Sequence, residues 1–392
     1  MITTPAGPAP GLRDQALDES LIGPMPLAPG AEPPRSRRWR RLLHWSANSA
    51  PVALLLLTGL GLGRHGINLL SIDTMALLAP GVPVALAALG VLVGLSVGGR
   101  RLGHRRVLAA GVLASAVTLL LVSAGVALLA LGGLAPVIRP FWTVVVATGL
   151  CAATSLTLPT GNAIEPRTRA ARLLEFGALL PIGVGGVLLA AIRGGSAADT
   201  VILLAQASGL TVVLAVAAWL LLTHASSATE GRVLIVSALL LVGGVADALS
   251  VSALFGGFVA GLVWRVAGRH PPETIGRDIL FAQHPLLVWV LLAAGASAAV
   301  SPGALVLGAA YVALRVVGQL AGGLLGRRVA GLTVPQDVGL HLLSPGVFGV
   351  AFALNAAVVL GQDAAVLLAA VVVGTIGSEF VAVLLPSRRV EA

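Results

Sequence analysis

Arg315 sits near the middle of the apolar stretch Ser301–Gly326, where a charged group costs roughly 2.5–3.5 kcal/mol on insertion scales. An ionisable side chain kept at that depth marks a pathway, a partner or a substrate. Two other clusters carry groups that could meet a solute. Thr154-Ser155-Leu156-Thr157-Leu158-Pro159-Thr160-Gly161-Asn162 gathers hydroxyls, a proline, a glycine and an amide, and Ser344-Pro345-Gly346 repeats the combination. Proline lacks an N–H and frees the carbonyl one turn earlier. In lipid such carbonyls survive only when buried in protein or lining a wet cavity. Hydroxyls and freed carbonyls are neutral oxygen groups that can meet a solute in such a cavity. Thr157, Thr160 and Ser344 are therefore candidate ligands, with Asn162 beside them, and Pro159, Gly161, Pro345 and Gly346 are the candidate helix breaks.

The elements that must position these groups are membrane helices. Hydrophobic residues make up 57% of the chain and charged residues 10%, far from the balance of a soluble globular protein. A spanning helix needs about 20 apolar residues. That rule predicts about twelve, near 48–63, 75–97, 107–132, 140–160, 171–192, 199–223, 232–246, 249–268, 284–300, 303–326, 336–359 and 362–385. The expected fold class is an all-α multi-pass membrane protein. The two breaks fall at matching places in the third-to-fifth and tenth-to-twelfth segments, which run in opposite senses across the membrane. That pattern predicts inverted repeats with two discontinuous crossing helices and a site between the halves. A proline kink tolerated in any membrane helix explains one break alone, and two matched ones less well.

Charge sets the expected orientation. The chain has no lysine, and its formal net charge of +9 is concentrated in short arginine-bearing loops, which read as topology signals and not as a nucleic-acid face. With the amino terminus in the cytoplasm, the loops holding Arg100, Arg101, Arg105 and Arg106, then Arg167, Arg169 and Arg172, then Arg265, Arg269 and Arg277, then Arg327 and Arg328, all fall inside. Arg388 and Arg389 follow. Arg64, Arg139 and Arg193 remain outside with Asp73, Asp199, Asp247 and Asp363. An even number of crossings fits, with both termini cytoplasmic in a cell (inner) membrane. Residues 1–46, rich in Pro, Gly and Ala and ending in Arg35, Arg37, Arg38, Arg40 and Arg41, read as a disordered basic cytoplasmic tail without a signal peptide. Residues 47–386 form the transmembrane domain and 387–392 a short cytoplasmic tail. The single cysteine, Cys151, lies in an apolar segment, so it supports neither a disulfide nor a cysteine metal site.

With these residues in hand, the chain resembles the monovalent cation:proton antiporter superfamily, which includes sodium/hydrogen exchangers and potassium efflux proteins. The resemblance covers most of residues 75 to 385. Leu89-Gly90-Val91-Leu92-Val93-Gly94-Leu95 is similar to the family's second crossing, and Leu254-Phe255-Gly256-Gly257-Phe258-Val259-Ala260-Gly261-Leu262-Val263 to its "GaFvAGl" segment. Arg315 falls where the family keeps a basic residue in its tenth crossing. Leu343-Ser344-Pro345-Gly346-Val347-Phe348 resembles the "LSxxGEF" stretch of the broken eleventh. Three acids that many members carry are missing, with Leu158, Phe176 and Val347 in their places.

The resemblance implies a secondary transporter exchanging Na+ or K+ for protons by alternating access, working as a homodimer through the early helices. Its partners are H+, a monovalent cation and the lipid bilayer. Such an exchanger needs a carboxylate for which proton and cation compete, and Glu175 is the acid positioned for it. Arg315 would pair with Glu175 in one state, or with half-helix carbonyls of the eleventh segment. For Glu175 the competing role is an ordinary acid in the first turn of the fifth helix. For Arg315 it is a fixed cation bridging broken helix ends.

Two other functions stay open: the same fold carrying an anion or neutral solute with Arg315 as counter-ion, and a non-transporting membrane subunit or sensor. An enzyme has least support. Gly94-Leu95-Ser96-Val97-Gly98 mimics a nucleophile elbow but ends an apolar helix, where the Gly90, Gly94, Gly98 spacing suits close packing. Gly61-Leu62-Gly63-Arg64-His65-Gly66 mimics a dinucleotide loop without a strand before it. His341, one turn beyond Asp337, and Glu379 in the last helix are weaker candidates, and no cofactor or metal is expected.

Overall fold

The computed structural model describes residues 50–64, 66–70, 74, 77–97, 105–133, 141–154, 179–267, 285–330 and 347–384. Among these, twelve α-helices of thirteen residues or more form one compact unit and no strand occurs. They are α1 Ala50–Leu62, α2 Gly81–Val97, α3 Arg105–Leu131, α4 Phe141–Ala153, α5 Leu179–Gly194 and α6 Ala197–Thr223. The second half holds α7 Ala228–Ala248, α8 Ala253–Ala267, α9 Pro285–Ser297, α10 Pro302–Ala330, α11 Val347–Leu360 and α12 Ala365–Leu384, the last preceded by a 3₁₀ turn over Gly361–Ala364. The chain is an all-α, multi-pass membrane fold. Helices α3, α6, α7 and α10 are each long and apolar enough to cross a bilayer, and their outer faces show leucines and valines such as Leu120, Leu128, Val201 and Val213 to lipid.

Several boundaries differ from expectation for local reasons. α7 starts at Ala228, four residues earlier than its apolar pattern, because the Ser227 side chain accepts the Glu230 N–H and caps the first turn. The Glu230 carboxylate holds the Ser226 N–H and hydroxyl as well, at 2.8 Å each. α10 runs past its apolar stretch to Ala330, with Arg327 and Arg328 in the last turn, where the helix dipole favours cations.

In lipid, helices associate by close backbone approach at small residues, and glycines set this core. On α2 and α8, a methyl added at Gly90 or Gly94 would strike the carbonyl of Leu254 or Phe258, and one at Gly257 or Gly261 that of Ala87 or Val91. Gly94 opens the nucleophile-elbow mimic and Gly257 and Gly261 lie in the "GaFvAGl" segment, and all three are packing positions. α3 and α10 run antiparallel, with Gly318, Gly322 and Gly326 set against Thr118, Ala114 and Ala110. α12 lies on α10 through Gly374 against Tyr311, and α1 lies on α9 through Gly59 and Gly295. The antiparallel pairing of α3 with α10 is what two inverted three-helix units require.

Candidate functional site

The centre of the molecule is the C-terminal end of α4. At thirteen residues, α4 spans only about 20 Å at 1.5 Å per residue, and Thr154 already lies outside the helix. The final carbonyls of any helix lack intrahelical donors and carry the negative end of its dipole. Here the last three of α4 each receive a side chain. Cys151 O accepts the Thr154 hydroxyl at 2.7 Å, and Ala153 O accepts the Ser115 hydroxyl of α3 at 3.4 Å. Ala152 O accepts both Arg315 Nη1 and Gln319 Nε2, at 3.0 Å each. Thr154 O accepts Arg315 Nη2 at 3.0 Å. Arg315 Nη1 also donates to Tyr311 Oη at 3.3 Å.

Arg315 is 1% exposed and Gln319 and Tyr311 equally enclosed, so the guanidinium is a fixed positive charge in the protein interior. Its planar fork reaches two carbonyls two residues apart, which a lysine ammonium could not do with one geometry. α11 meets this end from the other side. A methyl on Gly349 would approach Cys151 O to 2.7 Å and Thr154 Oγ1 to 2.8 Å, so the end of one short helix touches the start of another. Among the described residues the carbonyl partners of Arg315 are those of Ala152 and Thr154 at the end of α4; its expected partners, Glu175 and the break in the eleventh segment, lie outside the described residues.

The other predicted site residues, Glu175, Thr157, Thr160, Asn162 and Ser344, lie outside the described residues, as do the breaks Pro159, Gly161, Pro345 and Gly346. The two tails, His341 and Asp337 do too. Arg315 is the site residue the structure describes. Sequence reasoning passed over Tyr311 and Gln319, although four-residue spacing puts Tyr311, Arg315 and Gln319 on one helix face. That polar stripe on an apolar helix was the available signal.

Towards the opposite face, α7 ends in a Schellman turn. The Val251 N–H bonds Ala246 O and the Ser250 N–H bonds Asp247 O, with Ser250 at φ 51° where glycine is usual. The neutral amide of Asn355 then takes over the start of α8. Its Oδ1 accepts the Ala253 N–H at 3.2 Å and its Nδ2 donates to Ser252 Oγ at 2.9 Å. A cavity of about 30 Å³ lies here, lined by Pro83, Leu86, Asp247, Ser250, Asn355 and Val359 among others.

No family model matches the sequence, and no curated protein matches it. Among solved structures, the sodium proton antiporter MjNhaP1 from Methanocaldococcus jannaschii, at pH 8, is similar with a TM-score of 0.58. The match covers 90% of this chain and 98% of that one, at 16% identity. The chain shares the fold of that antiporter structure.

Proposed function

We propose that the chain is a secondary transporter that exchanges a monovalent cation, Na+ or K+, for protons by alternating access. The observation that carries this reading is the buried Arg315 closing the end of a short helix at the centre of an antiporter fold. Half-helix carbonyls are what a broken-helix transporter offers to a cation. In α4 the guanidinium and the Gln319 amide already fill them, so a transported cation takes its oxygens from elsewhere. Thr157, Thr160 and Ser344, with Asn162, supply neutral oxygens, and the breaks at Pro159, Gly161, Pro345 and Gly346 supply freed carbonyls. Glu175 is the coupling carboxylate: it holds either the cation or a proton, and this competition links the two fluxes.

The same reading sets the chain in the cell membrane with both termini cytoplasmic and pairs two copies through the early helices. The alternative in which Arg315 serves an anion meets an obstacle, since its Nη atoms would have to leave the α4 carbonyls. The test is cation-triggered collapse of a pH gradient in proteoliposomes, comparing sodium and potassium for the native protein and Glu175→Gln. Exchange predicts collapse by at least one cation and its loss in the variant. Collapse that survives in Glu175→Gln removes Glu175 from the mechanism. A native protein silent with every cation overturns the exchange reading.

A further inference from the structure

Among the described residues only two charged side chains are buried, Arg315 and Glu379. Arg315 is held by the end of α4. Glu379, on α12 and 4% exposed, has no ion-pair partner among the described residues. Its Oε2 accepts one hydrogen bond, from the Ala53 N–H at 3.0 Å, and that donor lies in the first turn of α1 where intrahelical acceptors are lacking. Ser378, beside it and 2% exposed, has a hydroxyl with no partner, and the buried Thr375 lies one turn before. Positions 375, 378 and 379 share one helix face. That face is a polar strip on a helix whose inward surface is otherwise alanine, valine and leucine.

A buried ion without a counter-ion is costly, and the described residues around Glu379 offer none. α1, α4 and α11, which pack on α12, carry no charged residue within their bounds, and the 3₁₀ turn before α12 carries only an acid, Asp363. α10 carries Arg315, committed to α4, and Arg327 and Arg328 in its last turn. Capping α1 does not call for an acid. At α8 the neutral amide of Asn355, equally buried, does the same job. The acid at position 379 therefore supplies something an amide cannot, and the chemistry that separates the two is reversible protonation.

We propose that Glu379 is a proton-binding carboxylate, set where α12 meets α1. Taking up a proton forms one O–H bond and removes the buried charge. It leaves a lone pair for the Ala53 N–H and adds a donor one residue from the open Ser378 hydroxyl. Losing the proton to water reverses each step. α1 packs on α9 and α12 on α10, so the proton is bound at the polar tie between two helix pairs that alternating access would move relative to one another. That coupling rests on the exchange reading above, whereas proton binding does not.

The test is infrared difference spectroscopy of the native protein in lipid across a pH series, beside Glu379→Gln and Glu175→Gln. The expected result is a carboxyl C=O stretching band that grows on acidification, disappears in Glu379→Gln and persists in Glu175→Gln. Glu379→Gln should keep the native unfolding temperature, since the amide oxygen still accepts from Ala53. If it does not fold, Glu379→Asp serves in its place, and the band should shift in frequency. A band unchanged in the Glu379 variant, or no such band at any pH where the fold persists, overturns the proposal. Proteoliposome flux separates the two readings. Native flux whose rate and pH profile are unaltered in Glu379→Gln removes Glu379 from coupling and leaves exchange standing. A native protein without flux whose Glu379 band still titrates removes exchange and leaves the proton site.

Discussion

Arg315 does two jobs that are usually argued separately. It is an ionisable group at membrane depth, and it is the charged donor to a helix end that Gln319, Ser115 and Thr154 help to complete. The second job makes its removal a stability experiment. Hydrogen bonds to charged groups contribute about 1.5–3 kcal/mol each, and an orphaned buried acceptor costs about 1–3 kcal/mol. Arg315→Ala removes the donors to Thr154 O and one of two donors to Ala152 O, so a loss of about 3 kcal/mol is expected. Arg315→Lys should recover part of it, because one ammonium reaches one carbonyl well. Gln319→Leu should cost about 1 kcal/mol, since Ala152 O keeps Arg315. Thermal unfolding of the purified variants reads the order; an Arg315→Ala variant as stable as Gln319→Leu would contradict the capping role. The position of Arg315 was legible in the sequence and its partners were not. Ala152 and Thr154 are 163 and 161 residues away, and no local pattern records which orphan carbonyl a distant guanidinium will meet. Glu379 shows the converse: its residue type was visible, while its burial against α1, 326 residues earlier, was not.

Helices obey shorter-range rules, and more of them could be read. The count of twelve follows from apolar lengths alone, and the Gly90, Gly94 spacing predicted a close contact whose partner turns out to be the Gly257, Gly261 face of α8. What composition could not give was which glycines are needed. A methyl at Gly257 runs into the backbone of Ala87, whereas at Gly209 in the interior of α6 nothing lies within 4 Å of it. Overpacking costs about 1–3 kcal/mol, and a glycine in a helix interior is about 0.5–1 kcal/mol worse than alanine. Gly257→Ala should therefore destabilise, and Gly209→Ala should raise the unfolding temperature slightly. Equal effects would mean that α2 and α8 do not meet through these residues. Helix starts were harder to read because caps override apolar patterning: Ser227 and Glu230 add a turn to α7 that hydropathy does not show. The expected breaks at Pro159, Gly161, Pro345 and Gly346 lie outside the described residues; what the structure describes is a short α4 whose terminal carbonyls are met by side chains of α3 and α10.

At the scale of the whole molecule, helix polarity sorts the charges onto two faces. Arg265 ends α8, Arg327 and Arg328 end α10, and Arg232 lies in the first turns of α7, all towards one face. Arg193 ends α5 at the other, where Asp199 opens α6 and Asp247 closes α7. The positive-inside rule then predicts that the arginine-rich face is cytoplasmic. The chain is well suited to a direct check, because its one cysteine, Cys151 in α4, is fully buried and leaves no native thiol at the surface. Ala198 and Thr229 are exposed on opposite faces. A membrane-impermeant maleimide should label Ala198→Cys in intact cells and Thr229→Cys only after permeabilisation, with the native chain unlabelled in both. The reverse pattern would invert the molecule. The outcome also fixes the chemistry at α12, which runs parallel to α10 and carries Glu379 in its second half, nearer the arginine-rich face. With that face inside, the Glu379 carboxylate exchanges its proton by way of the cytoplasmic half of the protein. With it outside, the same carboxylate would sample external pH, and acidifying the outer compartment, not the inner one, would bring up its infrared band.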